Sequence, residues 1–196
     1  MPYVNKLITL SFLMSFLFYA PGIAIGKTIK DIDVPEQITL TDSSQSLILN
    51  GAGIRSKFFF SIYIGALYLP ERLNSYAAII EHDQPRRVMM YCLYHEIEKQ
   101  KLVDAWNEGF SKNNDEQTMN KLRDRIAEFN KLFPALHTGD VVYLDYIPGK
   151  GTSLIFNHKK LGVIPGEDFN TALLKVWLGK HPADASLKDA MLGDAE

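Results

Sequence analysis

The stretch Leu49–Leu69, LNGAGIRSKFFFSIYIGALYL, decides how this chain folds. Most of it is aromatic and branched-apolar, which predicts a buried strand over Lys57–Leu69, stopped by Pro70 and Glu71. It nevertheless opens on Gly51-Ala52-Gly53 and then a guanidinium, Arg55. Side chains along a strand alternate between faces. The even positions Phe58, Phe60, Ile62, Ile64, Ala66 and Tyr68 read as a core face. The odd positions Arg55, Lys57, Phe59, Ser61, Tyr63, Gly65 and Leu67 interleave aromatics with hydrogen-bond donors. Without a bulge, Arg55, Ser61 and Tyr63 point the same way. A half-apolar face with converging polar groups suits a ligand pocket, and equally suits a half-solvated sheet face with Arg55 paired to a surface acid. In a pocket the guanidinium keeps its charge and its fork matches a carboxylate.

Working outward, Val34–Leu40 and Gln45–Asn50 read as strands around a Thr-Asp-Ser-Ser turn, Asn74–His82 as a short helix and Arg87–Glu96 as a strand. The period then becomes helical. Leu102, Ala105, Trp106 and Phe110 form one stripe, with Trp106 read as core and Asn107 at its edge. After KNND, Met119, Leu122, Ile126, Phe129 and Phe133 form another. VVYLDYI and TSLIFNH flank PGKG, a hairpin signal, and LGVI follows a second turn. A helix from Gly166 to Leu178 and a short one over Leu187–Leu192 close the chain. Strands neighbour strands and helices come in blocks. That predicts an α+β domain, a largely antiparallel sheet with helices on one face.

The 196 residues suit one domain, and 46% hydrophobic content can build a core. Lys6, the apolar LITLSFLMSFLFYA and the small residues Ala24-Ile25-Gly26 read as a signal peptide over residues 1–26. The domain then spans 27–196, periplasmic or secreted, with no stable membrane span after cleavage. The lone Cys92 cannot form an internal disulfide and reads as a buried small hydrophobe. Basic and acidic residues number 21 and 23 without a basic stripe, which disfavours nucleic acid. No phosphate loop, paired-histidine motif or GxSxG elbow is present, so no cofactor and no metal are expected. His82, His95, His137, His158 and His181 are too scattered for a metal on one element. Tyr143 and Asp145 share strand parity and read as a structural pair.

GAGIR followed by FFFSIYIGALYL resembles the opening signature of the chalcone isomerase-like family, a GGAG-x-R turn and a strand ending G-V-Y-L. KLVDAWNEGF, GDVVYLDYIPGKGTSLIFN and GEDFNTALLKVWLGKHPADASLKDAML extend the resemblance through almost all of residues 27–196. It implies an open-faced β-sandwich with a ligand cleft between sheet and helices. In the plant isomerases of this family an arginine polarises the substrate, and hydroxyl residues and an asparagine complete the site. Arg55 matches the arginine and Asn107 the asparagine. Tyr63 stands at a threonine position, Gln100 at that of the catalytic tyrosine, and Val176 near a C-terminal hydroxyl position.

Another branch of the family binds fatty acids through an arginine and a tyrosine on this strand, and Arg55 with Tyr63 resembles that pair. The first expectation is an exported binder of a hydrophobic carboxylate, a fatty acid or related lipid, through Arg55, Tyr63, Ser61, Phe59 and Asn107, with Trp106 and Leu67 beside the tail. The second is an intramolecular lyase or isomerase in which Arg55 is the electrophile and Tyr63 an acid or oriented donor. The third is an interaction protein with a vestigial cleft.

Overall fold

The computed structural model describes residues 26–40 and 42–193, so the expected leader lies, but for Gly26, outside the described residues. The strands are β1 (Lys27–Ile29), β2 (Ile32–Val34), β3 (Gln37–Thr39), β4 (Ser46–Lys57), β5 (Phe60–Leu69), β6 (Arg86–Cys92), β7 (Glu96–Ile97), β8 (Leu136–His137), β9 (Val141–Ile147), β10 (Gly151–Phe156) and β11 (Lys159–Ile164). The helices are α1 (Tyr76–Glu81), α2 (Lys99–Asn113), α3 (Glu116–Leu132), α4 (Glu167–Leu178) and α5 (Ala185–Met191). Seven strands form one antiparallel sheet in the order β11-β10-β9-β6-β5-β4-β3. The two pairs β1-β2 and β7-β8 stand apart from it. This is the α+β arrangement expected from the periodicity, with the open-faced sheet that the resemblance implies.

The decisive stretch is not one strand. The chain turns back at Phe58 and Phe59, so β4 and β5 form a hairpin with Lys57 opposite Phe60. An unbroken apolar run carries no periodic mark for a two-residue turn, and here no Gly or Asn announces one. Two register shifts interrupt the pairing, at Asn50 on β4 and at Ile62 on β5. The second resets the alternation of β5, because a bulge adds one residue and swaps faces beyond it. Parity therefore holds from Tyr63 onward and fails before Ile62.

Two apolar layers cover the sheet. On one side Tyr63, Leu67, Val88, Met90, Val142 and Leu154 meet residues from all five helices. At the centre lies α4, with eight buried positions including Leu173, Val176 and Trp177. Such all-round burial explains its near-continuous apolar sequence. On the other side Ile64, Ala66, Tyr68 and Met89 pack with Val34, Leu40 and Leu47, and no helical residue takes part. That face also holds a cross-strand ion pair. Arg87 donates to both carboxylate oxygens of Asp145, at 2.5 and 2.6 Å, beneath the Tyr143 ring. The Tyr143–Asp145 strand thus serves the sheet on the side away from the helices. Cys92 is buried in the helix-side core.

Candidate functional site

The glycines of GAGIR locate the site. Gly51, Gly53 and Arg55 follow one another on the helix side of β4, opposite Leu67, Gly65 and Tyr63 of β5. The short helix α5 lies directly on the glycines. A Cβ built on Gly51 would overlap the Ala190 backbone oxygen, and one on Gly53 would come within 2.6 Å of the Ala190 Cβ. The Leu187 side chain covers Gly65 in the same way, at 3.1 Å from a built Cβ. Asp184, the N-cap of α5, accepts from Leu187 N at 3.0 Å and from Ser56 N at 2.9 Å. The helix is thereby pinned to β4, and the sheet emerges from under it at the pair Arg55–Tyr63. That is why a charged group opens this run: it stands at the edge of the helical cover.

A cleft of about 500 Å³ begins there. Its walls come from Ile62 and Tyr63 of β5, Met90 of β6, Leu102, Trp106 and Gly109 of α2, and Val176 of α4. Gly109 lets the helices close. A Cβ at this position would stand 2.9 Å from Val176 Cγ1. Apolar walls of this size with few polar groups are usual for small-molecule sites.

The polar groups inside share one character. The Arg55 guanidinium carbon sits 5.6 Å from the Tyr63 ring centroid. Arg55 Nε is buried without a hydrogen-bond partner, and among the described residues Arg55 has no ion pair. Trp106 Nε1 is likewise buried and unpartnered. The Tyr63 hydroxyl accepts from Trp177 Nε1 at 2.8 Å, and no acceptor for its own proton stands among the described residues. Burial pushes the Tyr63 phenol up, against the opposing pull of Arg55, so it stays protonated at neutral pH. Three donors thus lack acceptors around one apolar cleft. Buried polar groups are otherwise almost always satisfied. The arrangement can bind an anion or another strong acceptor, which would supply what these donors lack.

The rim is charged and exposed. Lys57, Lys101, Lys112, Glu96, Glu108 and His181 line it. Glu108 is held below the usual carboxylate range by its bond from Lys112, with Lys57 and Arg55 adding to the effect.

The structure brings Arg55 and Tyr63 together as cross-strand partners, not as neighbours on one strand. Ser61, Phe59 and Asn107 are not among the lining residues. Ser61 pairs with Ser56 on the far side of the Ile62 bulge from Tyr63, so its parity is reset. Phe59 is fully exposed at the hairpin tip. Asn107 lies about 100° around α2 from Trp106 and accepts from Asn130 Nδ2 of α3 at 2.7 Å. Gln100 is exposed and donates to Asp104. Trp106, read as core, also lines the cleft and holds a buried donor without a partner. Its signal was chemical: a buried indole N–H needs a partner, and its stripe offers none. No group of residues suited to a metal ion occurs among the described residues.

The family model described as chalcone isomerase-like matches residues 26–193. No curated protein matches the chain significantly. Among solved structures, the crystal structure of an Arabidopsis thaliana fatty-acid binding protein is similar, with a TM-score of 0.60 at 14% sequence identity. The match covers 81% of this chain and 97% of that one, and likeness at this identity speaks for the fold alone. With the family model spanning all the described residues, the chain belongs to the chalcone isomerase-like family.

Proposed function

We propose that this protein binds a hydrophobic carboxylate, a fatty acid or related lipid, in the cleft between the sheet and α2. One observation carries the reading: Arg55, Trp106 and Tyr63 present donors without acceptors around an apolar cavity. A carboxylate supplies the missing acceptors and the missing counter-charge together. Met90, Leu102 and Ile62 supply apolar wall for a tail. The similar Arabidopsis protein, named for fatty-acid binding, supports the same class of ligand. Export behind a cleaved leader is part of this proposal and rests on residues 1–26 of the sequence. Mass measurement of the protein from its host tests it, a retained leader being the contrary result.

Intramolecular lyase chemistry fits the cleft less well. Gln100, at the position of the family's catalytic tyrosine, is exposed, donates to Asp104 and does not line the cleft. Val176, near the position where the family's isomerases have a hydroxyl, puts an apolar wall there. Native mass spectrometry of the protein from its host, followed by organic extraction, is the deciding experiment. A bound acidic lipid supports the proposal. A ligand-free spectrum with no uptake from a C12–C18 fatty-acid panel overturns it, as does chalcone cyclisation far above the buffer rate.

A further inference from the structure

Three consecutive phenylalanines sit at the tip of the β4–β5 hairpin, with Phe58 86%, Phe59 101% and Phe60 56% exposed. Large apolar side chains exposed in a contiguous group mark contact sites. The backbone makes this tip more unusual. Phe58 has φ 56°, a left-handed conformation that a glycine or asparagine adopts without steric conflict and a bulky side chain rarely does. The tip therefore carries a strained residue, Phe58 and Phe59 leave their rings almost wholly exposed, and Phe60 packs edge-on against Tyr94. The tip is a protruding two-residue turn and offers no groove in which a partner's side chains could nest.

The charge below the tip differs from that of the whole chain. The chain carries net −2. The cleft and its rim hold four basic residues, Arg55, Lys57, Lys101 and Lys112, against Glu96 and Glu108. Glu98 pairs with Lys101 and Glu108 with Lys112, and Asp184 caps α5 beside Ser56, which leaves Arg55 and Lys57 as the collar's cations without a salt bridge among the described residues. Lys57, next to the rings, has no acidic partner among the described residues. Phe58 and Phe60 also border the cleft mouth.

We propose that this tip docks on an anionic lipid bilayer, with the phenyl rings among the acyl chains and the basic collar at the headgroups. Aromatic wedges with basic flanks bind such surfaces through buried apolar area together with attraction to anionic lipid. Docking sets the cleft mouth against the membrane, so that an acyl ligand passes between the two without crossing bulk water. The passage rests on the ligand reading above, whereas the docking does not.

The test uses the protein as processed by its host and sedimentation with phosphatidylethanolamine–phosphatidylglycerol vesicles (3:1), against phosphatidylcholine vesicles. The wild type should partition preferentially to the anionic vesicles, and less so as salt rises. Phe59→Ser should lower partitioning by about tenfold. Its palmitate affinity in solution should not change, since Phe59 does not line the cleft. Phe58→Asn with Phe59→Ser should lower partitioning further while folding at least as stably, because asparagine tolerates the left-handed turn. Equal partitioning of wild type and Phe59→Ser overturns the proposal. So does a Phe59-dependent dimer without vesicle binding, which would make a second copy the occupant. Vesicle binding that depends on Phe59, in a protein that takes up no palmitate, upholds docking and removes only the ligand reading.

Discussion

Arg55→Ala separates binding from folding more cleanly than any other substitution in the cleft. In the free protein Arg55 makes no ion pair, leaves Nε unsatisfied and touches the Tyr63 ring only as a cation over its face. Losing that contact costs about 0.5–1 kcal/mol at a partly exposed site. A domain of this length would then melt about 1–4 °C lower. On a bound carboxylate the same side chain can place two charge-assisted bonds, each worth about 1.5–3 kcal/mol. After the guanidinium's own desolvation, a net loss of about 2–4 kcal/mol is expected, or about 30- to 1000-fold in Kd. The assay is titration calorimetry or competitive displacement with palmitate and hexadecanol, which share a tail and differ in the head. Wild type should prefer the acid, and Arg55→Ala should bind both alike. Arg55→Lys should fall between, keeping the charge and losing the fork. Unchanged palmitate affinity in a folded Arg55→Ala protein, or an equal loss for acid and alcohol, would refute the carboxylate assignment.

Trp106→Phe should keep the aromatic packing with Phe129, Phe133 and Trp177 and remove an unpartnered buried donor. Thermal stability should hold or rise while palmitate affinity falls about threefold to tenfold, read by melting and the same titration. Asp145→Ala should destabilise by about 3–5 kcal/mol, because it leaves Arg87 buried and alone. Denaturant titration checks this, and paired replacement of Arg87 and Asp145 by apolar residues should recover most of the loss. Asp168, at the N-terminal end of α4, is held well below the usual carboxylate range by its hydrogen bond from Arg125, with Lys121 contributing and partial burial opposing. Its stabilisation is complete above the unfolded carboxylate pKa of about 4 and is lost as pH falls toward the folded value. Asp168→Asn should therefore flatten the acid limb of a Tm-against-pH curve below about pH 4. Gly51→Ala should be severely destabilising, since its methyl meets the Ala190 backbone of α5, which has no flexible group to yield.

Much of the architecture follows from local pattern. The α2 and α3 stripes, the hairpin around PGKG and the buried α4 are set by spacing, turn chemistry and apolar content. Those properties act between residues a few positions apart, so they can be read along the chain. The pairing of Arg55 with Tyr63 on one face was also legible, though for a different physical reason. Alternation placed both on one strand, whereas the structure sets them across a hairpin whose turn falls inside FFF. No residue in that run favours a turn, so only pairing with the rest of the sheet decides where the chain reverses. The bulge at Ile62 has the same origin, and it removes Ser61 from the cleft. What sequence alone determined was the class, the helical layer and the presence of an arginine in an apolar setting. Tertiary structure decided that α5 lies on Gly51 and Gly53, that the cover ends at Arg55, and that Trp106 and Tyr63 beside the cleft hold donors without acceptors. These are contacts between elements over a hundred residues apart in places, and whether a polar group is satisfied depends on every neighbour the fold brings to it.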